Sequence, residues 1–441
     1  MDRNNVAPEA LMKQGVAWRR DLHRHPEIGF LEYRTASMII TTLRALGFTV
    51  RYGKAVNDTR ETAGLPTRDV QEACMRRAIE EGADPALVQE MADGQTGIVA
   101  ILDGTAGGAG QTVAFRFDMD ANDAAEERDD AHRPAREGFL SVHENAMHAC
   151  GHDGHVAIGL MLAHLLIARR ADFSGQVRLI FQPAEEGVRG AESMLRAGVA
   201  DGVDVFFGGH IGLSATENGM LIASVGDFLA ASKFDAVFTG RSSHAGVAPE
   251  EGRNALLASA QAAIALHAIS RHGKGASRIN VGVLRAGTGR NVLPDHAEMG
   301  FETRGETREI NAYMETEARR IVQASADMYG VSASLERIGY AEDFVPDPAF
   351  GQEIADFARS LGIYHTVLDY GKMCASEDCT AFMNAVTASG GRATYMMFGT
   401  KRTAGHHNGR FDFDESVLPE TADFLCRLAV KYTARSGKEQ A

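Results

Sequence analysis

Residues 153–207 read DGHVAIGLMLAHLLIARRADFSGQVRLIFQPAEEGVRGAESMLRAGVADGVDVFF. An apolar run from Asp153 to Arg170 has the length of a helix, and Gln176 to Phe181 reads as a buried strand. Gly190 to Ala197 then reads as a short helix and Val203 to Phe207 as a second strand. Such alternation predicts an α/β domain with a largely parallel sheet. Upstream, a helix from Ala17 to Leu46 leads past Gly47 into a strand, Phe48 to Tyr52, and further strand signals fall at Gly97 to Leu102 and Thr112 to Phe117. Gly53 to Asp93 is a polar insert with a Gly64-Leu65-Pro66 turn and a charged helical stretch from Asp69 to Glu81, expected to decorate the domain rather than build its core.

Downstream the order changes. Lys233 to Thr239 reads as strand, Asn254 to Ser270 as helix, Ile279 to Ala286 and His296 to Arg304 as strands, Arg308 to Tyr329 as helix and Ser332 to Tyr340 as strand. This βαββαβ order predicts a ferredoxin-like module inserted into the first domain. The α/β pattern resumes with a helix from Pro348 to Leu361, a strand from Thr394 to Phe398 and a last helix from Pro419. The expected division is a catalytic α/β domain over 1–227 and 341–441, with an inserted domain over 228–340.

A chain of 441 residues exceeds the size at which one core usually stops growing, in keeping with two domains. Its composition, 44% hydrophobic and 24% charged, is that of a globular protein. The formal net charge of −14 repels nucleic acid and anionic lipid. Met1 to Ala10 has no apolar stretch after a basic start, and no run reaches membrane-spanning length, so neither nucleic acid nor membrane is expected as a partner and the cytoplasm is the expected location. Five scattered cysteines do not form a disulfide framework, so a special cysteine here should be a ligand or a nucleophile.

Four polar motifs follow strands: Arg116-Phe-Asp-Met-Asp120, Gln182-Pro-Ala-Glu-Glu186, Gly208-Gly-His210 and Gly405-His-His-Asn408. Ligands in open α/β sheets bind outside the carboxyl ends of the strands, so these should meet in one crevice. A fifth motif, His148-Ala-Cys-Gly-His-Asp-Gly-His155, opens the helix near Asp153. Together they supply a thiol, imidazoles and paired carboxylates, the donors that zinc and similar divalent ions take. The set suits two such ions sharing a ligand. Cys150 and His152, two apart, reach the same side if that segment is extended. Glu185 and Glu186 face opposite ways in an extended loop, so one can bind metal while the other carries a proton. Asp120 reads as a carboxylate that orients a ligating imidazole from behind. Other patterns fail: Gly287-Thr-Gly289 and Gly273-Lys-Gly275 lack nucleotide-loop spacing, and Ser242 and Ser243 stand in no nucleophile elbow.

The run Met-His-Ala-Cys-Gly-His-Asp-Gly-His, then Gln-Pro-Ala-Glu-Glu-Gly, then His210-Ile-Gly, resembles the metal-dependent amidohydrolases that include hippurate hydrolase and the auxin-conjugate hydrolases. The resemblance spans nearly the whole chain and extends more broadly to carboxypeptidase G, aminoacylase and succinyl-diaminopimelate desuccinylase. It implies a catalytic α/β domain carrying two divalent ions, manganese or zinc, and an inserted dimerisation or lid domain. Within that family, the insert with Gly64-Leu-Pro66, the stretch from Ser243-His-Ala-Gly to Gly252-Arg-Asn-Ala-Leu and the run from Gly405 to Glu415 are most similar to the enzymes that hydrolyse p-aminobenzoyl-glutamate, which are built from two related subunits. A homodimer, or a heterodimer with a related B subunit, is the implied assembly, and a small N-acyl amino acid the implied substrate.

Carried over residue by residue, the resemblance implies Cys150, His152, Glu186, His210 and a histidine of the last motif as metal ligands, with Glu185 as general base and acid. His406 and His407 are adjacent; relatives place the ligand four residues before an aromatic, here Phe411, which favours His407. His244, in Ser-Ser-His-Ala-Gly, corresponds to a lid histidine lent to the neighbouring subunit's site. Asn291 and Arg304 match positions that hold the substrate carboxylate, a task suited to a guanidinium fork, with Arg278, Arg285 and Arg290 as rival arginines. Glu377 and Asp378 match a Ser-Glu-Asp motif of unassigned role. Rival readings are another N-acyl amino acid as substrate, a subunit with little activity alone, and a structural metal protein, which the spare carboxylate Glu185 speaks against.

Overall fold

The computed structural model describes residues 8–60, 62 and 64–434; most of the Met1–Ala10 segment and the ends of the expected catalytic segments lie outside these. Eight strands form the main sheet. In spatial order they are Thr49–Tyr52, Ile98–Asp103, Gln176–Gln182, Thr112–Asp118, Val205–Ile211, Arg392–Phe398, Met220–Ile222 and Thr366–Leu368. The four central strands run parallel, and the first two strands and Met220–Ile222 pair antiparallel, so the sheet is mixed around a parallel middle. The parallel strands are buried along nearly their whole length, which explains why they read as continuous apolar runs rather than alternating ones.

Helices Glu9–Arg24, Tyr33–Ala45, His152–Ala168 and Val417–Thr433 enclose the larger core on one face. Gly190–Arg196 and Cys379–Ala388 cover the other. The His152–Ala168 helix is buried nearly all round, as an unbroken apolar sequence must be.

The long first helix expected over Ala17–Leu46 is two helices, because Pro26 cannot continue a helix and Phe30 adopts a left-handed φ of 66°. The polar insert is not mere decoration. Ala78, Leu87, Val88 and Met91 join the main core, since helices Arg68–Glu80 and Pro85–Glu90 bury the few apolar residues that their charged sequence holds.

A second sheet, wholly antiparallel, has the order Ser332–Ala341, Ala230–Thr239, His296–Gly305, Ser277–Ala286. Helices Ala255–His267 and Arg308–Tyr329 pack on one face of it against Phe234, Phe238, Met299 and Phe301. Its other face, which carries Lys233, Glu302 and Arg304, touches the part built on the main sheet: Lys233 Nζ donates to the Glu186 carbonyl at 2.8 Å and an Arg304 guanidinium nitrogen lies 3.5 Å from Ser376 Oγ. Tyr340 N donates to the Val188 carbonyl at 2.8 Å. Gly339 permits this approach, because a Cβ there would lie 2.2 Å from the Gly187 carbonyl oxygen.

A buried ionic network ties the first helix to the start of the His152–Ala168 helix. Arg19 pairs with Asp153, Asp412 and Glu415, while His23 bonds Asp153 at 2.8 Å through Nδ1 and Glu126 at 2.9 Å through Nε2. With both nitrogens on carboxylates, His23 must be an imidazolium. Burial and the Arg19 charge oppose this, but Asp153 and Glu126 outweigh them and raise the pKa above 6.5. For Glu126, burial is overcome by bonds from His132 and His23, which bring the carboxyl down to about 2 from 4.5.

A histidine with a raised pKa contributes stability in full below its unfolded pKa and loses it as pH rises through the folded value. A depressed carboxylate contributes above its unfolded pKa and loses it as pH falls through the folded one. The unfolding temperature should therefore peak between about pH 4.5 and 6.5, falling away on each side. In His23→Gln the alkaline decline should disappear when unfolding is followed by calorimetry against pH; an unaltered alkaline limb would contradict the imidazolium.

Candidate metal centre

The parallel strands deliver carboxylates and an imidazole to one end of the sheet. Asp118 ends Thr112–Asp118, Gln182 ends Gln176–Gln182, and His210 lies inside Val205–Ile211, one residue before its end, rather than just beyond it. Cys150 and His152 converge through a turn, not an extended segment: Gly151 between them has φ 93°, a left-handed conformation suited to glycine, and His152 is the first residue of its helix.

Glu185 and Glu186 also sit in a tight turn rather than an extended loop. Ala184 and Val188 on either side have φ of 53° and 51°, and Val188 N donates to the Glu185 carbonyl at 2.6 Å. A left-handed valine is costly and persists only where surrounding bonds fix it. Here they do: Ala184 N donates to Glu32 at 2.9 Å, Glu186 N to Asp120 at 2.9 Å, and the lid bonds to Glu186 and Val188 close the turn from above.

The ligand atoms of Cys150, His152 and His210 lie within 4.8 Å of one another, as do those of Cys150, Glu186 and His407, so the thiol belongs to both groups. His210 Nε2 is 3.4 Å from Cys150 Sγ, and its Nδ1–H donates to the Ile211 carbonyl at 2.7 Å, which fixes the tautomer with Nε2 free. His152 Nδ1–H donates to the Asp120 carbonyl at 2.9 Å, with the Asp120 carboxylate 3.3 Å away. Its Nε2 therefore points into the cluster, 3.9 Å from each of Glu185 and Glu186. The two adjacent histidines are placed differently. His407 Nε2 lies 3.3 Å from Glu186, with the residue at a left-handed φ of 61°, whereas His406 is held by Arg402 and packs on Phe411.

These residues fit a divalent cation. His152 Nε2 and Glu186 Oε1 are buried with no hydrogen-bond partner, and each would be an expensive orphan without one. Burial, with His155 nearby, depresses the pKa of His210 and keeps its imidazole neutral, the form that can ligate. Burial and the Glu186 charge push the Cys150 thiol well up.

Behind the cluster lies a second tier, drawn from the same motifs and from the Glu377-Asp378 pair, whose joint role the sequence did not assign. Asp118 binds His155 Nδ1, and His155 Nε2 accepts from Ile211 N at 2.9 Å, so this imidazole is saturated and serves as a strut. Buried Arg116 joins Asp118, Gln182, Glu377 and Asp378. Glu377 also accepts from the Tyr395 hydroxyl at 2.6 Å. Their signals were legible in principle: Arg116 and Asp118 alternate along one strand, with Asp120 two residues past its end, and His155 follows His152 by about one helical turn. Carboxylate oxygens of Glu185, Glu377 and Asp378 come within 4.8 Å of one another. Burial, with Glu377 and Glu186 close by, holds the Glu185 carboxyl well above the usual range although its side chain is 12% exposed.

The remaining expected residues lie on the module built around the second sheet. His244 is exposed and bridges to Val292, and Ala245 N donates to the Asn291 carbonyl at 3.0 Å, so His244 and Asn291 share one loop cluster. Neither touches the Cys150 cluster among the described residues. Arg304 approaches Ser376, beside Glu377, but its fork is engaged by Glu302 at 2.9 and 3.0 Å.

A doubly shared thiol, imidazoles with Nε2 turned inward, an orphaned carboxylate oxygen and a neighbouring proton-holding glutamate define a metal-dependent hydrolase. The chain belongs to peptidase family M20/M25/M40, whose pattern matches residues 114–431, and it is an amide-bond hydrolase of that family. It is 46% identical to the indole-3-acetyl-aspartic acid hydrolase of Enterobacter agglomerans, over 97% of this chain and 98% of that one. It is 44% identical to one of the subunits of the p-aminobenzoyl-glutamate hydrolase of Escherichia coli, over 97% of each. Among solved structures, the aminobenzoyl-glutamate utilization protein of Klebsiella pneumoniae superposes with a TM-score of 0.81 at 39% identity, covering 96% of both chains. No described helix is long and apolar enough to cross a membrane.

Proposed function

We propose that this chain hydrolyses the amide bond of p-aminobenzoyl-glutamate, releasing p-aminobenzoate and glutamate. The observation that carries the reading is Glu185, a protonatable carboxylate beside a ligand set and within reach, through Ser376 and Glu377, of a lid arginine. Cys150, His152 and His210 would hold one divalent ion and Cys150, Glu186 and His407 a second, manganese or zinc. Bound there, such ions supply Lewis acidity that makes water acidic and polarises a carbonyl.

The chain's own residues do the rest. Glu185 takes the proton of the attacking water and returns it to the departing glutamate nitrogen. Asp120 keeps His152 in the ligating tautomer. His244, from a neighbouring copy's lid, donates to the oxyanion, a contribution of about 3 to 4 kcal/mol in comparable sites. Arg304 and Asn291 hold the α-carboxylate, with the substrate displacing Glu302 from the guanidinium. The lid would be 228–340, and the assembly a homodimer or a heterodimer with a related B subunit, since the E. coli relative is itself one subunit of its enzyme. The reaction would belong to the cytoplasm, where five unpaired thiols persist.

The test is release of p-aminobenzoate by the purified chain after chelation and again after manganese or zinc is restored. Metal-restored turnover is expected, and silence with both ions would overturn the proposal for the chain alone. A second reading, cleavage of an indole-3-acetyl-aspartate type of conjugate, draws on the 46% identical relative, and a higher kcat/KM on that conjugate would favour it.

A further inference from the structure

The open face of the lid sheet holds a cation that the proposed reaction does not employ. Arg278 lies on the edge strand Ser277–Ala286, directly opposite Arg304 in the antiparallel register, so both side chains leave the same face. Directly opposed residues have Cβ atoms about 5 Å apart, and like charges so placed repel. Arg304 is relieved by Glu302, whereas Arg278 is exposed and has no carboxylate partner among the described residues. Lys233 stands opposite Glu302 on the same face and reaches the Glu186 carbonyl, which turns this part of the face toward the metal centre. At this end of the face three cations, Lys233, Arg278 and Arg304, thus meet one carboxylate, Glu302; the next acid, Asp235, is set further along, opposite Gly300. On this end of the sheet face the balance is positive, opposite the carboxylates of the metal centre.

We propose that Arg278 binds the side-chain carboxylate of an acidic amino acid whose α-carboxylate is held by Arg304, and so selects dicarboxylic over neutral amino acids in the leaving half. This rests on the reaction proposed above. Two carboxylates of one glutamate or aspartate lie a few ångströms apart, a spacing that adjacent strands supply and a single arginine cannot. A dianion that displaces Glu302 from Arg304 and reaches Arg278 turns the repulsion between the two guanidinium groups into attraction, so the face suits such a ligand better than a neutral one.

The experiment compares p-aminobenzoyl-glutamate with p-aminobenzoyl-glutamine in the metal-loaded wild type, Arg278→Gln and Arg278→Lys. Loss of a charge-assisted contact should raise KM for the glutamate substrate about 10- to 100-fold in Arg278→Gln with kcat nearly kept. The glutamine substrate should be unaffected, and Arg278→Lys should recover part of the loss. Equal losses on both substrates, or an unchanged preference, would overturn the assignment while leaving the reaction standing. A wild type that cleaves neither substrate would instead remove the reaction, and this assignment with it.

Discussion

Glu185→Gln is expected to lower kcat by about a hundred- to ten-thousandfold, the range associated with loss of a positioned general acid–base, while metal content stays at the wild-type level. The amide is nearly isosteric with the carboxyl but cannot accept the proton of water. Glu185 also stands outside both groups that contain Cys150, so its replacement removes no proposed ligand. Its carboxyl is held up chiefly by burial, then by Glu377 and Glu186, so it retains a proton long enough to deliver it to an amine leaving group. Single-turnover kinetics alongside elemental analysis would check this. A variant that loses its metal together with its activity would instead make Glu185 a ligand.

Cys150→Ala should have the opposite signature. The thiol is common to both ligand groups, so its removal weakens two sites at once. Even residues that only support ligands change affinity about 10- to 100-fold, and a shared ligand should exceed that. Competition against a chelator would measure the loss, with turnover falling in step. Burial, helped by Glu186, pushes the thiol pKa up, so binding a cation must expel a proton. Wild-type affinity should then rise with pH, and Cys150→Ala should reduce that slope, leaving the part due to His152, whose pKa, despite burial, is also raised by Asp118. An unreduced slope would show that another group supplies the proton.

The parts of the fold that were legible share one property: their sequence is dictated locally. The buried parallel strands are uninterrupted apolar runs, and the lid's βαββαβ order is written in alternating periods. Gly151, Ala184 and Val188 were not legible as turns, because their left-handed conformations are imposed by contacts distant in sequence, among them Glu32, Asp120 and Tyr340. The polar insert misled for a related reason. Helix Arg68–Glu80 is charged along most of its length, and the single fully buried Ala78 gives little periodic signal.

At the metal centre, ligand types and their clustering could be read from motifs. His407 was favoured by its spacing to Phe411, and the Arg402 and Phe411 contacts that occupy the His406 ring add a physical reason for proposing it. Arg116, Glu377 and Asp378 stood in motifs without an assigned role, because their common purpose appears only when residues more than 260 positions apart meet.

The bonds from Lys233 and Tyr340 to the turn bearing Glu186 have an implication for protein engineering. Grafting a foreign second-sheet module would disturb the turn that bears Glu186, because Lys233 and Tyr340 of that module bond its backbone; if the proposed roles hold, substrate range and ion affinity would change together. Chimeras of this enzyme should therefore be joined outside residues 184–188 and 233–340 taken together, with both segments inherited from one parent.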